Sequence, residues 1–100
     1  VREKTISIDT IQKKVSSYYN LSFSDIVSSK RSINIARPRQ VAMFLVKGLT
    51  SYSYPEIGKA FGKDHTTVIH AVRKIETMLE IDHKLKKQIF DLKDMIFTLQ

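Results

Sequence analysis

Residues 53–75 read SYPEIGKAFGKDHTTVIHAVRKI, and this stretch decides the fold. Ser53 and Glu56 make an S-x-x-E capping box with Pro55 in the first turn, so a short helix starts here. Ile57, Ala60 and Phe61 would face inward, and Gly62 would end the helix by taking the left-handed conformation. Asp64 can cap a second helix running to about residue 80, with Val68, Ile69, Val72, Ile75 and Leu79 inward. Two short helices joined by a tight turn predict a helix-turn-helix.

That inward set leaves Asp64, His65, Thr66 and Thr67 on the first turn and His70, Arg73 and Lys74 beyond it, largely outward. Threonine is a poor helix former, and two in one first turn are costly on a featureless surface. In a DNA major groove they have a use. Threonine methyls meet thymine methyls, Asp64 can accept from cytosine N4, and His65 can bond base edges. Capping accounts for Asp64 in part, but not for His65 and Thr66. An Asp–His pair also suggests catalysis, yet sequence neighbours at a helix start rarely face each other, and no nucleophile or second acid lies nearby.

Working outward, helical periodicity continues and nothing alternates as a strand should. Ser7 can cap a first helix with Ile8, Ile11, Val15 and Tyr18 on one face, ending near Asn20. Ser22 and Asp25 suit a very short second helix. Residues 30–37 show no helical pattern and read as the one substantial loop. Pro38 then suits the first turn of a third helix that carries Val41, Phe44, Leu45 and Leu49 inward. Asp82 starts a sixth helix with Leu85, Ile89, Leu92, Ile96 and Leu99 in steps of three and four. The expectation is an all-α bundle of about six helices: residues 6–100 as a helix-turn-helix domain, and residues 1–5 as a linker remnant from a preceding domain.

One hundred residues with a net charge of +7 and no cysteine make one domain, held without disulfides or thiolate metal sites, which fits a reducing interior. His65, His70 and His83 lack partners at zinc-finger spacing, and the three glycines open no phosphate loop, so neither metal binding nor nucleotide hydrolysis is expected. Residues 1–50 carry +6 of the charge and residues 51–100 only +1. Between Asp25 and Glu56 there is no acid, while Lys30, Arg31, Arg37, Arg39 and Lys47 supply +5. An unopposed basic segment suits a polyanion, either nucleic acid or an anionic membrane. Basic residues on the loop can enter a minor groove, and Arg37, Arg39, Gln40 and Lys47 can hold phosphates.

The run GKAFGKDHTTVIHAVRKI resembles the signature of the C-terminal DNA-binding domain in the DnaA family of bacterial replication initiators. ARPRQVAMFLVKGLT, SSKRSINIARPRQ and ISIDTIQKKVSSYYN resemble it too, in order and spacing, over residues 6–97. The resemblance implies a Trp-repressor-like helix-turn-helix that binds double-stranded DnaA boxes at a replication origin, in the bacterial cytoplasm and nucleoid. It implies base reading by Arg31 in the minor groove and by Asp64, His65, Thr66 and Thr67 in the major groove, with Pro55 in apolar contact. It places Arg39, Gln40, Lys47 and Lys63 on phosphates. The family's ATP site belongs to an ATPase domain outside this chain, so no cofactor and no enzyme activity are expected here. It also implies acidic phospholipid as a partner near Lys13 and Lys14, where the residues alone read as an amphipathic core helix. Regulatory proteins are further partners to expect, and the isolated domain should be a monomer. Two departures from the family stand out: many members have one more residue between Phe61 and Asp64, and often arginine in place of Lys63.

Three other readings compete. A protein adapter would dock through the sixth helix's Leu/Ile stripe, although that stripe more simply closes the bundle. A membrane-surface module would use the basic half. Single-stranded nucleic acid is weaker, since no aromatics interleave the basic positions.

Overall fold

Five of the six helices in a computed structural model of residues 6–98 start where a side chain satisfies their free amides, the third being the exception, and there is no strand among the described residues. The expected linker at residues 1–5, and Leu99, lie outside the described residues. In α1 (Ile8–Tyr18) the Ser7 hydroxyl accepts from the Thr10 amide at 3.0 Å. Asn20 ends this segment at φ 60°, a left-handed conformation that asparagine tolerates better than most residues. In α2 (Phe23–Ile26) Ser22 and Asp25 form the expected capping box.

α3 (Ile33–Leu49) corrects the reading of residues 30–37 as loop, because the helix begins five residues before Pro38 rather than at it. Pro38 therefore lies inside the helix, where it supplies no hydrogen bond to the preceding turn, at a typical cost of about 3 kcal/mol. The first turn holds nonetheless: the Ile35 and Ala36 amides both donate to the Ser32 carbonyl, at 3.0 and 2.8 Å. α3 is also buried more completely than expected. Ala42, Met43 and Val46 join Val41 and Leu45 inside, while Phe44 and Leu49 are only half-buried. It is the central helix, packed against α1, α2 and the next two helices, α4 (Tyr54–Phe61) and α5 (His65–Leu79).

The last helix, α6 (His83–Thr98), is capped by Asp82, whose Oδ1 accepts from the Leu85 amide at 2.9 Å. Leu85, Ile89, Leu92 and Ile96 are buried and pack against α1 and α5, so the stripe closes the bundle and is not a free docking face. All six helices feed one core through Ile11, Ile26, Met43, Leu45, Ile57, Phe61, Ile75, Leu92 and Ile96. No described helix is long and apolar enough to cross a membrane.

The crossing of α4 and α5 sets the rest. Ser53 and Glu56 close the expected capping box, and Gly62 takes φ 69° at the end of α4. Lys63 N donates back to Gly58 O at 2.9 Å. A Cβ on Gly58 would stand 2.6 Å from the Lys63 carbonyl oxygen, so only glycine lets the turn fold this closely over α4. Ala60, expected inside, is exposed, and its carbonyl accepts from Gln12 Nε2 at 3.2 Å. Gly58 and Ala71 occupy the buried positions instead.

The same substitution at two glycines should have opposite signs. Gly58→Ala forces backbone apart and should lose about 1–3 kcal/mol in urea unfolding. Gly48→Ala, with nothing within 4 Å of the new Cβ, should gain about 0.5–1 kcal/mol by removing a flexible residue from a helix. Equal effects at the two sites would contradict the crowding at Gly58.

Candidate nucleic-acid interface

The N-terminus of α5 brings four polar side chains to the surface. Asp64 is the N-cap, and its Oδ1 accepts from the Thr67 amide at 3.0 Å. The same oxygen accepts from the Thr66 hydroxyl at 2.7 Å. These bonds, the Thr66 hydroxyl first and the Thr67 amide second, hold the Asp64 carboxyl down to about 2 from an ordinary 3.8. Asp64, His65, Thr66 and Thr67 are all exposed, while Val68, Ala71, Val72 and Ile75 bury the opposite face. Thr66 has one hydroxyl proton and directs it at Asp64. What the pair offers outward is therefore acceptors, namely the free carboxylate oxygen and the Thr66 lone pairs, together with a methyl group.

The basic residues divide into two groups. Arg31 is exposed on the segment before α3, and among the described residues its side chain makes no hydrogen bond. Lys47 lies with its Nζ 4.3 Å over the Tyr54 ring, beside exposed Pro55 in the first turn of α4. Arg37 turns back, donating from Nη1 to Gln40 Oε1 at 3.0 Å and to Met78 Sδ at 2.9 Å. Lys63 donates from Nζ to Ser28 O at 3.2 Å.

Arg39, expected at a phosphate, turns inward. It is only 7% exposed, and four hydrogen bonds engage its guanidinium with Ile26, Lys30, Asp25 and Ser28. Burial draws its pKa below the usual arginine value, and the nearby Asp25 charge opposes that. A guanidinium has five N–H groups, so a single one remains for any phosphate. Charge counting along the sequence cannot distinguish such an arginine from an outward one.

Between α3 and α5 lies a cleft of about 340 Å³, lined among others by Arg39, Gln40, Lys63, Thr67, His70 and Lys74. No acidic residue lines it. His70 and Lys74 therefore join the candidate set, Lys74 having no role in the sequence reading beyond facing outward. The signal was present in the spacing, since Thr67, His70 and Lys74 fall on one side of a helix. Among the described residues no cluster of His, Cys, Asp and Glu could hold a metal ion.

A family model described as the bacterial dnaA protein helix-turn-helix matches residues 8–75. The chain is also similar to a solved structure described as a DNA replication initiation factor, with a TM-score of 0.76 and 36% sequence identity. That alignment covers 89% of this chain and 29% of the other, so the chain spans under a third of that structure's length.

The depressed Asp64 carboxyl gives the cap a definite pH window. Its stabilising contribution should be complete above the unfolded value of 3.8 and disappear as pH falls toward about 2. Urea midpoints measured from pH 5 downward should therefore fall less steeply for Asp64→Asn than for wild type. Parallel curves would show that the carboxylate does not cap α5.

Proposed function

Because the chain belongs to the bacterial dnaA protein helix-turn-helix family, we propose that it recognises DnaA boxes in double-stranded DNA through the exposed N-terminus of α5 and the basic segment before α3. At the coarser level it is a DNA-binding domain of replication initiation, and it is a binding domain rather than an enzyme. The observation that carries the finer reading is the exposed row Asp64, His65, Thr66 and Thr67, set on a helix whose opposite face anchors it in the core.

In this reading α5 enters the major groove by its N-terminal end. The Asp64–Thr66 pair presents acceptors, so it selects base edges that donate: cytosine N4 or adenine N6. Guanine O6 and thymine O4 would meet it lone pair to lone pair. Threonine methyls and Pro55 face thymine methyls, and His65 bonds a neighbouring edge. Arg31 enters an A·T-rich minor groove, where the potential is most negative. Lys47, Lys63 and Lys74 hold phosphates, with Gln40 beside them once it exchanges its bond to Arg37. Phosphate contacts fix position, and base contacts supply the choice of sequence.

His65→Ala and Thr66→Ala should each lose about 1 kcal/mol or somewhat more of the preference for a box over a scrambled duplex, as read in competition binding. Full retention of preference in both variants would exclude α5 as the reader. Lys74→Ala should act differently. It should weaken box and scrambled duplex together and flatten the log–log salt dependence by about one unit. A loss confined to the box would contradict the phosphate role.

A further inference from the structure

Arg39 and Lys63 come from different elements, yet both reach the same short segment, residues 25–30. Arg39, on α3, donates from Nε to Ile26 O at 3.0 Å and from Nη1 to Lys30 O at 2.9 Å. Its Nη2 donates to Asp25 O and to Ser28 Oγ, each at 3.1 Å. Lys63, in the turn before α5, donates from Nζ to Ser28 O at 3.2 Å. Ser28 is thereby gripped through its hydroxyl from α3 and through its carbonyl from the turn. It is also tied locally, donating to Asp25 O at 2.8 Å and accepting from the Lys30 amide at 3.2 Å.

Backbone carbonyls dominate this set of acceptors. Asp25 and Ile26 lie at the end of α2, where helical carbonyls have no partner within the helix, and a cation is favoured there. Three carbonyls and a hydroxyl arranged around one planar fork match a guanidinium and not a point charge. The segment so held ends at Lys30, one residue before Arg31.

We infer that Arg39 is a positioning residue for Arg31: with Lys63 it locks residues 25–30 between α3 and the helix-turn-helix, and so fixes the register between the minor-groove side chain and the major-groove helix. The inference rests on the proposed minor-groove role of Arg31. It assigns Arg39's charge to the protein's own backbone and leaves phosphate binding to other residues. It also makes the two readings of the DNA mechanically dependent on one loop.

A double-mutant cycle on this domain tests it. Dissociation constants for a box duplex at one salt concentration are compared for wild type, Arg31→Ala, Arg39→Lys and the double variant. Arg39→Lys keeps the charge but loses the fork, and it should weaken binding about tenfold, the size of one base contact. In the Arg31→Ala background the same change should cost less than about twofold, because the side chain it positions is gone. Binding by Arg39→Lys within about twofold of wild type, or losses that multiply fully, would overturn the inference. If Arg31→Ala itself loses nothing on the box, the minor-groove reading fails, and the positioning role fails with it; this outcome is recognisable from that single variant. Thermal unfolding is recorded for each protein. Should Arg39→Lys be unfolded at the assay temperature, Ser28→Ala carries the test, since it removes one of Arg39's acceptors without touching a cation. Ser28→Ala should lose roughly threefold only where Arg31 is present. A loss independent of Arg31, or no loss, overturns the inference.

Discussion

The structure depends first on how closely the turn before α5 folds over α4. Gly58 lacks the side chain that would stand 2.6 Å from the Lys63 carbonyl oxygen, and its own carbonyl accepts the Lys63 amide at 2.9 Å. This contact sets where Asp64 can stand, and Asp64 in turn caps α5 and holds the Thr66 hydroxyl. A row of exposed polar side chains follows from a backbone crossing that only glycine permits. The buried face, Val68, Ala71, Val72 and Ile75, then prevents the helix from rotating away.

Charge works in two directions in this small domain. The chain carries +7, but its positive groups do not all look outward. Arg39 is turned onto three backbone carbonyls and the Ser28 hydroxyl, Arg37 lies against Gln40 and Met78, and Lys30, though exposed, pairs with Asp25 at 3.0 Å. Arg31 and Lys74 are exposed. Arginine suits the inward task because its fixed fork satisfies several carbonyls at once. The basic half of the chain therefore both builds the loop that carries Arg31 and supplies field for a polyanion.

Features that depend on neighbours in sequence were legible. The capping boxes at Ser22 and Ser53, the left-handed Gly62, the Asp64 cap and the apolar stripe of α6 rest on spacings of three or four residues, and each stands where those spacings put it. What depends on distant partners was not legible. The start of α3 at Ile33 escapes local rules, by which Pro38 marks a first turn. Those rules do not see the Arg39 clamp on the segment before α3, whose bonds reach back to Ile26 and Lys30. Ala60 lies at the surface rather than inside, and Ala71 is buried, because a small apolar residue carries little periodic signal. The crowding at Gly58 comes from residues five and six positions on, across a turn whose path the sequence does not state. In the interface, the exposed row on α5 was readable from residue type alone, whereas the inward turn of Arg39 was not.

Base reading at the α5 N-terminus is the step on which the proposed function turns. Its most direct test is equilibrium titration of the domain, at one fixed salt concentration, with a DnaA-box duplex and with duplexes altered at one base pair at a time. Base reading requires a cluster of adjacent positions at which each change costs about 1–3 kcal/mol. Within that cluster, the costliest changes should be those that replace a cytosine or adenine amino donor by an acceptor, because Asp64 and Thr66 present acceptors. Affinities that stay equal across every altered duplex would reduce the domain to a non-specific polyanion binder and contradict the account.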